Sequence, residues 1–385
     1  MGKVYHNLSL TGHSREDQGP RIIISGGGTG GHLFPGIAIG SELKKRCGKA
    51  AILFITGRKK MEHRIISQAG FETQSIDVEG VMGKDFLGLI NAFYKVMLAL
   101  IQSFLIIRNF RPQLVLGLGG YTSGPVCLIA WFLRVPTAVH EQNSFPGLTN
   151  RILAPFVRRV FISFAETGKY LKRGKLFLSG NPIRNELLQP IQFPKMDKKF
   201  VILVMGGSQG AKTLNEAVIS MIKEFKALGD VPFMIHQTGK ADLKRVADEY
   251  DTLGVDGEVS AFIEDMASAY SRADLVICRA GATTIAELAA LGKPSILIPY
   301  PYASHRHQEI NAITLVHAGG ADIILERYLD GKALTAKVTR YMKNRGELSK
   351  MSVLASKAGR LGARELIAEE LLKLTNKTQC IKNDK

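Results

Sequence analysis

Ile22-Ile23-Ile24-Ser25-Gly26-Gly27-Gly28-Thr29-Gly30-Gly31-His32 is an apolar strand running into a glycine loop, and its reading decides the fold. A strand, then glycines, then a helix puts bare backbone N–H groups at the helix's positive end, an anion site whose usual guest is phosphate. Residues 200–205 followed by Gly206-Gly207-Ser208-Gln209-Gly210-Ala211 repeat the arrangement later in the chain. Outward from the first loop, candidate strands at 21–25, 51–56, 114–117, 137–140 and 160–163 alternate with helical stretches such as 34–46 and 59–69. The same rhythm returns at 200–205, 233–236, 275–278, 295–299 and 322–325. Such alternation implies an α/β protein with parallel sheets covered on both faces, here as two Rossmann-like halves facing across a cleft.

A chain of 385 residues is long for one core and fits two domains. Gly180-Asn181-Pro182-Ile183-Arg184 and the stretch on to Pro194 read as the connection, which gives domains at 21–182 and 185–355. Residues 1–20 are polar without an apolar core, so they read as a flexible extension rather than a secretory signal. The formal charge of +17 favours anionic partners without choosing among nucleic acid, lipid head groups and diphosphates. Cys47, Cys127, Cys278 and Cys380 are far apart with no C-x-x-C, which reads as thiols in a reducing cytoplasm.

The stretch from Phe86 to Ile107 has 22 residues and one charge, Lys95. Its length would suit a membrane span, but Asn91, Gln102 and Ser103 interrupt it, and it falls where a parallel sheet needs a crossover helix. Two readings remain. It is a core helix, or a helix with one face on the sheet and the other on a membrane surface. Lys84, Lys95, Arg108 and Arg111 flank or interrupt it as acidic lipid would require.

Several motifs could carry chemistry. Gly26, Gly28 and Gly31 satisfy G-x-G-x-x-G, but Thr56-Gly57-Arg58-Lys59-Lys60 supplies no acid for a dinucleotide ribose, so only an NADP reading survives. His32 at a helix start either takes a proton from an incoming hydroxyl or merely donates to a phosphate or caps its helix. Gly117-Leu118-Gly119-Gly120 after another strand is a second anion loop or a tight turn. His140-Glu141-Gln142-Asn143 ends a strand where α/β sheets place ligand-facing groups, and such a polar run must be paired or used. Arg279-Ala280-Gly281-Ala282-Thr283-Thr284-Ile285-Ala286-Glu287 opens a helix that could meet a diphosphate, with Glu287 placed to accept from ribose hydroxyls. His305-Arg306-His307-Gln308-Glu309 could read sugar hydroxyls or be plain surface. No D-x-D or H-E-x-x-H occurs, so no metal cage is expected.

GGGTGGHLFPG, GLGGYTSGP, HEQNSFPGLTN, GNPIR, GGSQGA, HQTGK and CRAGATTIAELAALGKP occur in the order found in the MurG-type transferases, and the chain resembles that family from about Ile22 to Leu325. These are undecaprenyldiphospho-muramoylpentapeptide β-N-acetylglucosaminyltransferases of glycosyltransferase family 28. The resemblance implies the GT-B architecture, with a C-terminal helix at about 360–376 crossing back to the N-terminal domain. It implies inverting transfer of N-acetylglucosamine from UDP-GlcNAc to the C4 hydroxyl of the muramic acid in lipid I. The product is lipid II for peptidoglycan, and no cofactor is required. Thr29, Gly30, Gly31, Asn143, Arg184, Ser208, Ile263, Ala282, Thr283, Thr284, Ile285, Ala286, Glu287 and Gln308 match the family's donor-binding positions. Among them Ser208 corresponds to a phosphate contact, Ile263 to a backbone contact with uracil, Glu287 to the ribose and Gln308 to the sugar. His32 matches the candidate base. The segment from Phe86 to Ile107 falls on the family's basic-rimmed membrane patch, which implies a peripheral place on the cytoplasmic face of the bacterial plasma membrane. Residues 1–20 extend beyond the usual start, and the loop before Gln308 looks longer by about one residue than in some members. The rivals are a UDP-sugar epimerase of the same fold, an NADP oxidoreductase, and a nucleic-acid binder that lacks any recognisable reading module.

Overall fold

The computed structural model describes residues 19–27, 30–78, 86–171, 175–188, 199–207 and 209–375, with backbone alone for 86–93. Residues 1–18, Gly28, Thr29, Lys84, Ser208, the 189–194 part of the connection, and Cys380 lie outside them. The first half runs β1 (Arg21–Ser25), α1 (Gly30–Arg46), β2 (Ala51–Thr56), α2 (Lys60–Gln68), β3 (Glu72–Ser75), α3 (Phe86–Phe110), β4 (Leu114–Gly117), α4 (Gly120–Phe132), β5 (Thr137–Glu141), α5 (Leu148–Leu153), β6 (Arg159–Ile162) and β7 (Leu176–Leu178). The second runs β8 (Val201–Met205), α6 (Lys212–Leu228), β9 (Phe233–Gln237), α7 (Leu243–Leu253), β10 (Gly257–Ser260), α8 (Met266–Arg272), β11 (Leu275–Cys278), α9 (Ala282–Leu291), β12 (Ser295–Leu297), α10 (His307–His317) and β13 (Asp322–Ile323). Helices α11 (Gly331–Lys343), α12 (Arg345–Ala358) and α13 (Ala363–Leu374) follow.

The strands form two sheets, ordered β3-β2-β1-β4-β5-β6-β7 and β10-β9-β8-β11-β12-β13, with every pair parallel. Ile24 of β1 lies opposite Phe54 of β2 and Leu116 of β4, and all three are buried. The near-continuous apolar runs of β1, β4, β8 and β11 are what a sheet covered on both faces requires. In each sheet the strand order reverses at the centre, between β1 and β4 and between β8 and β11. Ligands of open parallel sheets bind beyond the strands' carboxyl ends at that reversal. The loops from Gly26, Gly117, Gly206 and Arg279 all leave from those points.

Strands β3, β7 and β10 escape sequence reading because they are short edge strands. Glu72-Thr73-Gln74-Ser75 and Gly257-Glu258-Val259-Ser260 are mostly polar and face solvent, so no apolar run marks them. Helix α13 packs Ile367, Ala368, Leu371 and Leu372 into the core with Ile22, Ile24, Leu33 and Ile39. Arg159 and Glu370, 2.9 Å apart, pair across the same junction. Cys127 and Cys278 are buried thiols, but Cys47 is disulfide-bonded, a correction to the expectation of thiols throughout. Separation along a chain does not limit which cysteines meet in space.

The apolar crossover segment is one helix, α3. Ala99, Ser103 and Ile107 are buried, four residues apart, while Tyr94, Met97, Ile101 and Leu105 are exposed along another face. Its neighbour α4, and α5 packed against α4, add exposed Leu128, Trp131, Phe132, Leu148 and Ile152. Among the described residues no helix is long and apolar enough to cross a membrane.

Candidate active site

On the N-terminal side, His32 stands half-buried in the first turn of α1, with Nδ1 2.9 Å from Gln142 Oε1. The facing loop must be glycine. A Cβ at Gly119, whose φ is +93°, would come within 3.2 Å of His32 Cε1. Strand β5 carries the His140-to-Asn143 run to the same edge. Glu141 is spent on the loop itself: Oε1 accepts from Asn143 N at 2.9 Å, and Oε2 accepts from Gly147 N at 3.0 Å and Asn150 Nδ2 at 2.8 Å. His140 is buried, and burial pushes its pKa down to about 4, so the ring is neutral. Buried polar groups are satisfied here by pairing, and Asn143 keeps its side chain at the cleft.

On the opposing side, Gly281 caps α9 without any side-chain acceptor, so the first amides of Ala282, Thr283 and Thr284 have no side-chain partner from the cap. Ile285 and Ala286 continue this turn. Glu287, 4% exposed, accepts from Arg184 Nε at 3.1 Å and from Tyr270 OH at 3.0 Å. Burial opposes the Arg184 charge, yet the Glu287 carboxylate raises its pKa above the ordinary guanidinium value. The same guanidinium lies 5.0 Å above the Phe34 ring of α1. Ile263 donates its N–H to Gln237 Oε1 at 3.1 Å, so that backbone donor is already taken. Gln237 Nε2 donates in turn to Gly207 O at 2.9 Å, clipping the β8 loop to the Ile263 segment. Gln308 Oε1 accepts from Tyr300 N at 3.0 Å and closes its own loop.

The two edges touch. Thr283 Oγ1 donates to Gly31 O at 3.3 Å. That carbonyl is free because its helical partner four residues on is Pro35, which has no N–H. Buried Asn311 of α10 accepts from Ser144 N at 2.9 Å and donates to Asn143 Oδ1 at 3.2 Å. His305, at φ +52°, stacks on Phe145 with centroids 4.5 Å apart. The structure therefore brings Gly30, Gly31, His32, Asn143, Arg184 and the Ala282-to-Glu287 turn to one pair of facing edges. Ile263 and Gln308 lie along the second sheet's edge, and Thr29 and Ser208 lie outside the described residues. Among the described residues no group of three or more His, Cys, Asp or Glu side chains is placed to hold a metal.

Sequence reasoning passed over the individual roles of Gln142, Gln237, Tyr270 and Asn311. The first two sit inside motifs singled out as runs. Tyr270 and Asn311 lie in amphipathic helices and carry no local signal.

The chain is similar to known proteins over most of its length. The glycosyltransferase family 28 N-terminal domain matches residues 22–162, and the family 28 C-terminal domain matches 201–367. A UDP-N-acetylglucosamine--N-acetylmuramyl-(pentapeptide) pyrophosphoryl-undecaprenol N-acetylglucosamine transferase of Myxococcus xanthus is 43% identical, over 91% of each chain. The crystal structure of MurG from Acinetobacter baumannii is similar with a TM-score of 0.73 at 29% identity, covering 92% of this chain and 99% of that one. A UDP-N-acetylglucosamine 2-epimerase structure, at 15% identity and a TM-score of 0.66 over 92% of this chain and 96% of its own, shares the fold alone. With that identity held over so much of its length, the chain belongs to glycosyltransferase family 28, alongside the MurG-type N-acetylglucosaminyltransferases.

Proposed function

We propose that this enzyme transfers N-acetylglucosamine from UDP-GlcNAc to the C4 hydroxyl of the muramic acid in lipid I, with inversion, to give lipid II. One observation carries the reading. Thr283, in the first turn of α9, touches Gly31, the residue before His32. A base and a diphosphate-binding helix end thus share one site. His32 Nε2 takes the proton as the acceptor oxygen attacks the anomeric carbon from the face opposite UDP. Charge developing on the departing diphosphate is met by the α9 amides, fixed before the reaction and needing no reorganisation. Glu287 binds the ribose, Arg184 holds Glu287 in place, and Asn143 and Gln308 line the sugar. The Ile263 backbone carbonyl, its N–H being held by Gln237, meets uracil, and Thr29, Gly30 and Ser208 complete the phosphate contacts. The two separate sheets and the packing of α13 on the first support a division into an acceptor domain at 21–182, joined by the C-terminal helix, and a donor domain at 185–355.

The exposed apolar face of α3, α4 and α5 supports peripheral docking on a membrane, where lipid I resides. Lys95, Arg108 and Arg111 on or after α3 attract acidic lipid around it, each basic group near the surface worth about 1 kcal/mol, and Lys84 precedes this helix in the sequence. The test of the chemistry is His32→Ala. Transfer to a lipid I analogue should fall by about 10²- to 10⁴-fold, the usual share of general-base catalysis, with UDP-GlcNAc affinity retained. Near-normal turnover removes His32 as base.

A further inference from the structure

We infer that Gln142 is the positioning residue that fixes the tautomer of His32 and presents its Nε2 as the basic atom, an inference that rests on the reading of His32 as base. Gln142 is buried, and its side-chain nitrogen lies 3.0 Å from Leu118 O, 3.1 Å from His140 Nδ1 and 3.2 Å from His140 O. Backbone carbonyls only accept. The amide nitrogen must therefore occupy that side and Oε1 the side facing His32. The next link agrees. His140 Nε2 is 3.2 Å from Gly180 O, again an acceptor only, so that ring nitrogen holds the proton and Nδ1 is left to accept from Gln142. A second proton on His140 would oppose the amide N–H, and burial, which holds the ring's pKa near 4, keeps that proton off.

His32 Nδ1 meets an oxygen at 2.9 Å and must donate to it. Its Nε2 keeps the lone pair. The proton arrangement at the reacting atom is thus set by two main-chain carbonyls, Leu118 and Gly180, through Gln142 and His140. The opposite tautomer would carry hydrogen on Nε2, which could then take no proton, and would turn the Nδ1 lone pair towards the Gln142 oxygen. In the transfer step the O–H bond of the acceptor breaks and its proton goes to Nε2. The oxygen bonds the anomeric carbon, and the carbon–oxygen bond to the diphosphate breaks with its electron pair leaving on UDP. His32 is then an imidazolium, and the Nδ1–H···Oε1 bond strengthens because its donor has become charged. Gln142 therefore supports the transition state more than the ground state.

The test uses the full chain with ¹⁵N-labelled histidine, the His32 resonances being assigned by their loss in His32→Ala. Long-range ¹H–¹⁵N spectra should show Nδ1–H at His32 in the wild type. Gln142→Glu, which keeps an acceptor oxygen, should retain that tautomer. Gln142→Leu should lose it, with kcat on a lipid I analogue down about 10²-fold and KM for UDP-GlcNAc changed by less than about twofold. Adding Gln142→Leu to His32→Ala should slow the residual rate no further. An Nε2–H wild-type ring overturns the inference, as does a Gln142→Leu enzyme with wild-type tautomer and kcat. If Gln142→Leu does not fold, the wild-type and Gln142→Glu spectra decide. An inactive His32→Ala beside a fully active Gln142→Leu sinks this inference alone, whereas an active His32→Ala removes the base itself and this inference with it.

Discussion

Glu287→Gln separates a ribose-binding carboxylate from a structural one. Glu287 sits 4% exposed between Arg184 Nε at 3.1 Å and Tyr270 OH at 3.0 Å. Those contacts use part of a carboxylate's acceptor capacity, about four lone-pair sites, and leave the remainder for ribose hydroxyls. Glutamine keeps the shape. Its oxygen can stay with Arg184, and its NH₂ can donate to the Tyr270 oxygen. What disappears is charge. Hydrogen bonds to a charged group contribute about 1.5–3 kcal/mol, so UDP affinity should fall roughly 10- to 150-fold. Arg184 also loses its counter-charge. Truncating one partner of a buried pair costs about 3–5 kcal/mol, but Arg184 retains partial solvent access and the Phe34 ring, so about 1–2 kcal/mol of stability is the expected loss. Calorimetric titration with UDP and with 2′-deoxy-UDP tells the two effects apart. The wild type should prefer UDP, and Glu287→Gln should bind both alike at the weaker affinity. An undiminished preference for UDP in the variant, or an equal loss on both nucleotides, refutes the ribose contact.

Burial lowers the pKa of both His140 and His236 to about 4. Unfolded histidine titrates near 6.5, so as pH falls from there towards 4 the unfolded chain binds protons that the native one refuses, and about 3 kcal/mol of stability per residue is lost. Urea melts across that window should show the decline, with His236→Gln flattening it by one residue's share; a flat wild-type profile contradicts it. Gly210→Ala would drive a Cβ to 2.0 Å from Thr238 O at φ +79°, whereas Gly207→Ala meets open space at φ +91°. The first should cost well over about 2 kcal/mol and UDP binding, the second only the left-handed backbone penalty of about 1–2 kcal/mol, and equal melting temperatures would refute the steric argument. Ile101→Asp with Phe132→Asp should weaken sedimentation with acidic vesicles by about 5-fold or more and slow transfer to bilayer-embedded lipid I, without slowing transfer to a soluble analogue. Unchanged vesicle binding removes this face from the membrane.

The central strands and their loops were legible because physics writes them locally. Triple isoleucine in β1 and the apolar runs of β4, β8 and β11 must be buried on both faces, and the glycines that follow admit an anion. The edge strands β3 and β10 were not legible, since a solvent-facing strand needs no apolar pattern. Helix α1 begins at Gly30, earlier than its sequence suggests, because tertiary contacts outweigh the poor propensity of Gly30, Gly31 and Pro35. Composition marked the segment from Phe86 to Ile107 as unusual but left its orientation open, and only the packing of Ala99, Ser103 and Ile107 shows which face remains outside. At the site, position after a strand end marks His32 and the Ala282-to-Glu287 turn as candidates, while their expected roles come from the family resemblance rather than from position. The Asn311 bonds to Ser144 and Asn143 and the Gly31–Thr283 contact join residues separated by much of the chain, and no local pattern announces them. Tyr270 meets Glu287 from only 17 residues away, but it lies in a helix with no motif of its own.

Incubation with labelled UDP-GlcNAc and a lipid I analogue, with the product's linkage read by NMR and the nucleotide sugar pool analysed beside it, tests the transferase assignment most directly. A β-1,4-linked N-acetylglucosamine on the muramic acid C4 oxygen, with stoichiometric UDP, is the expected result. Label that stays on the nucleotide, either unchanged or epimerised at C2 with the lipid unmodified, would contradict it.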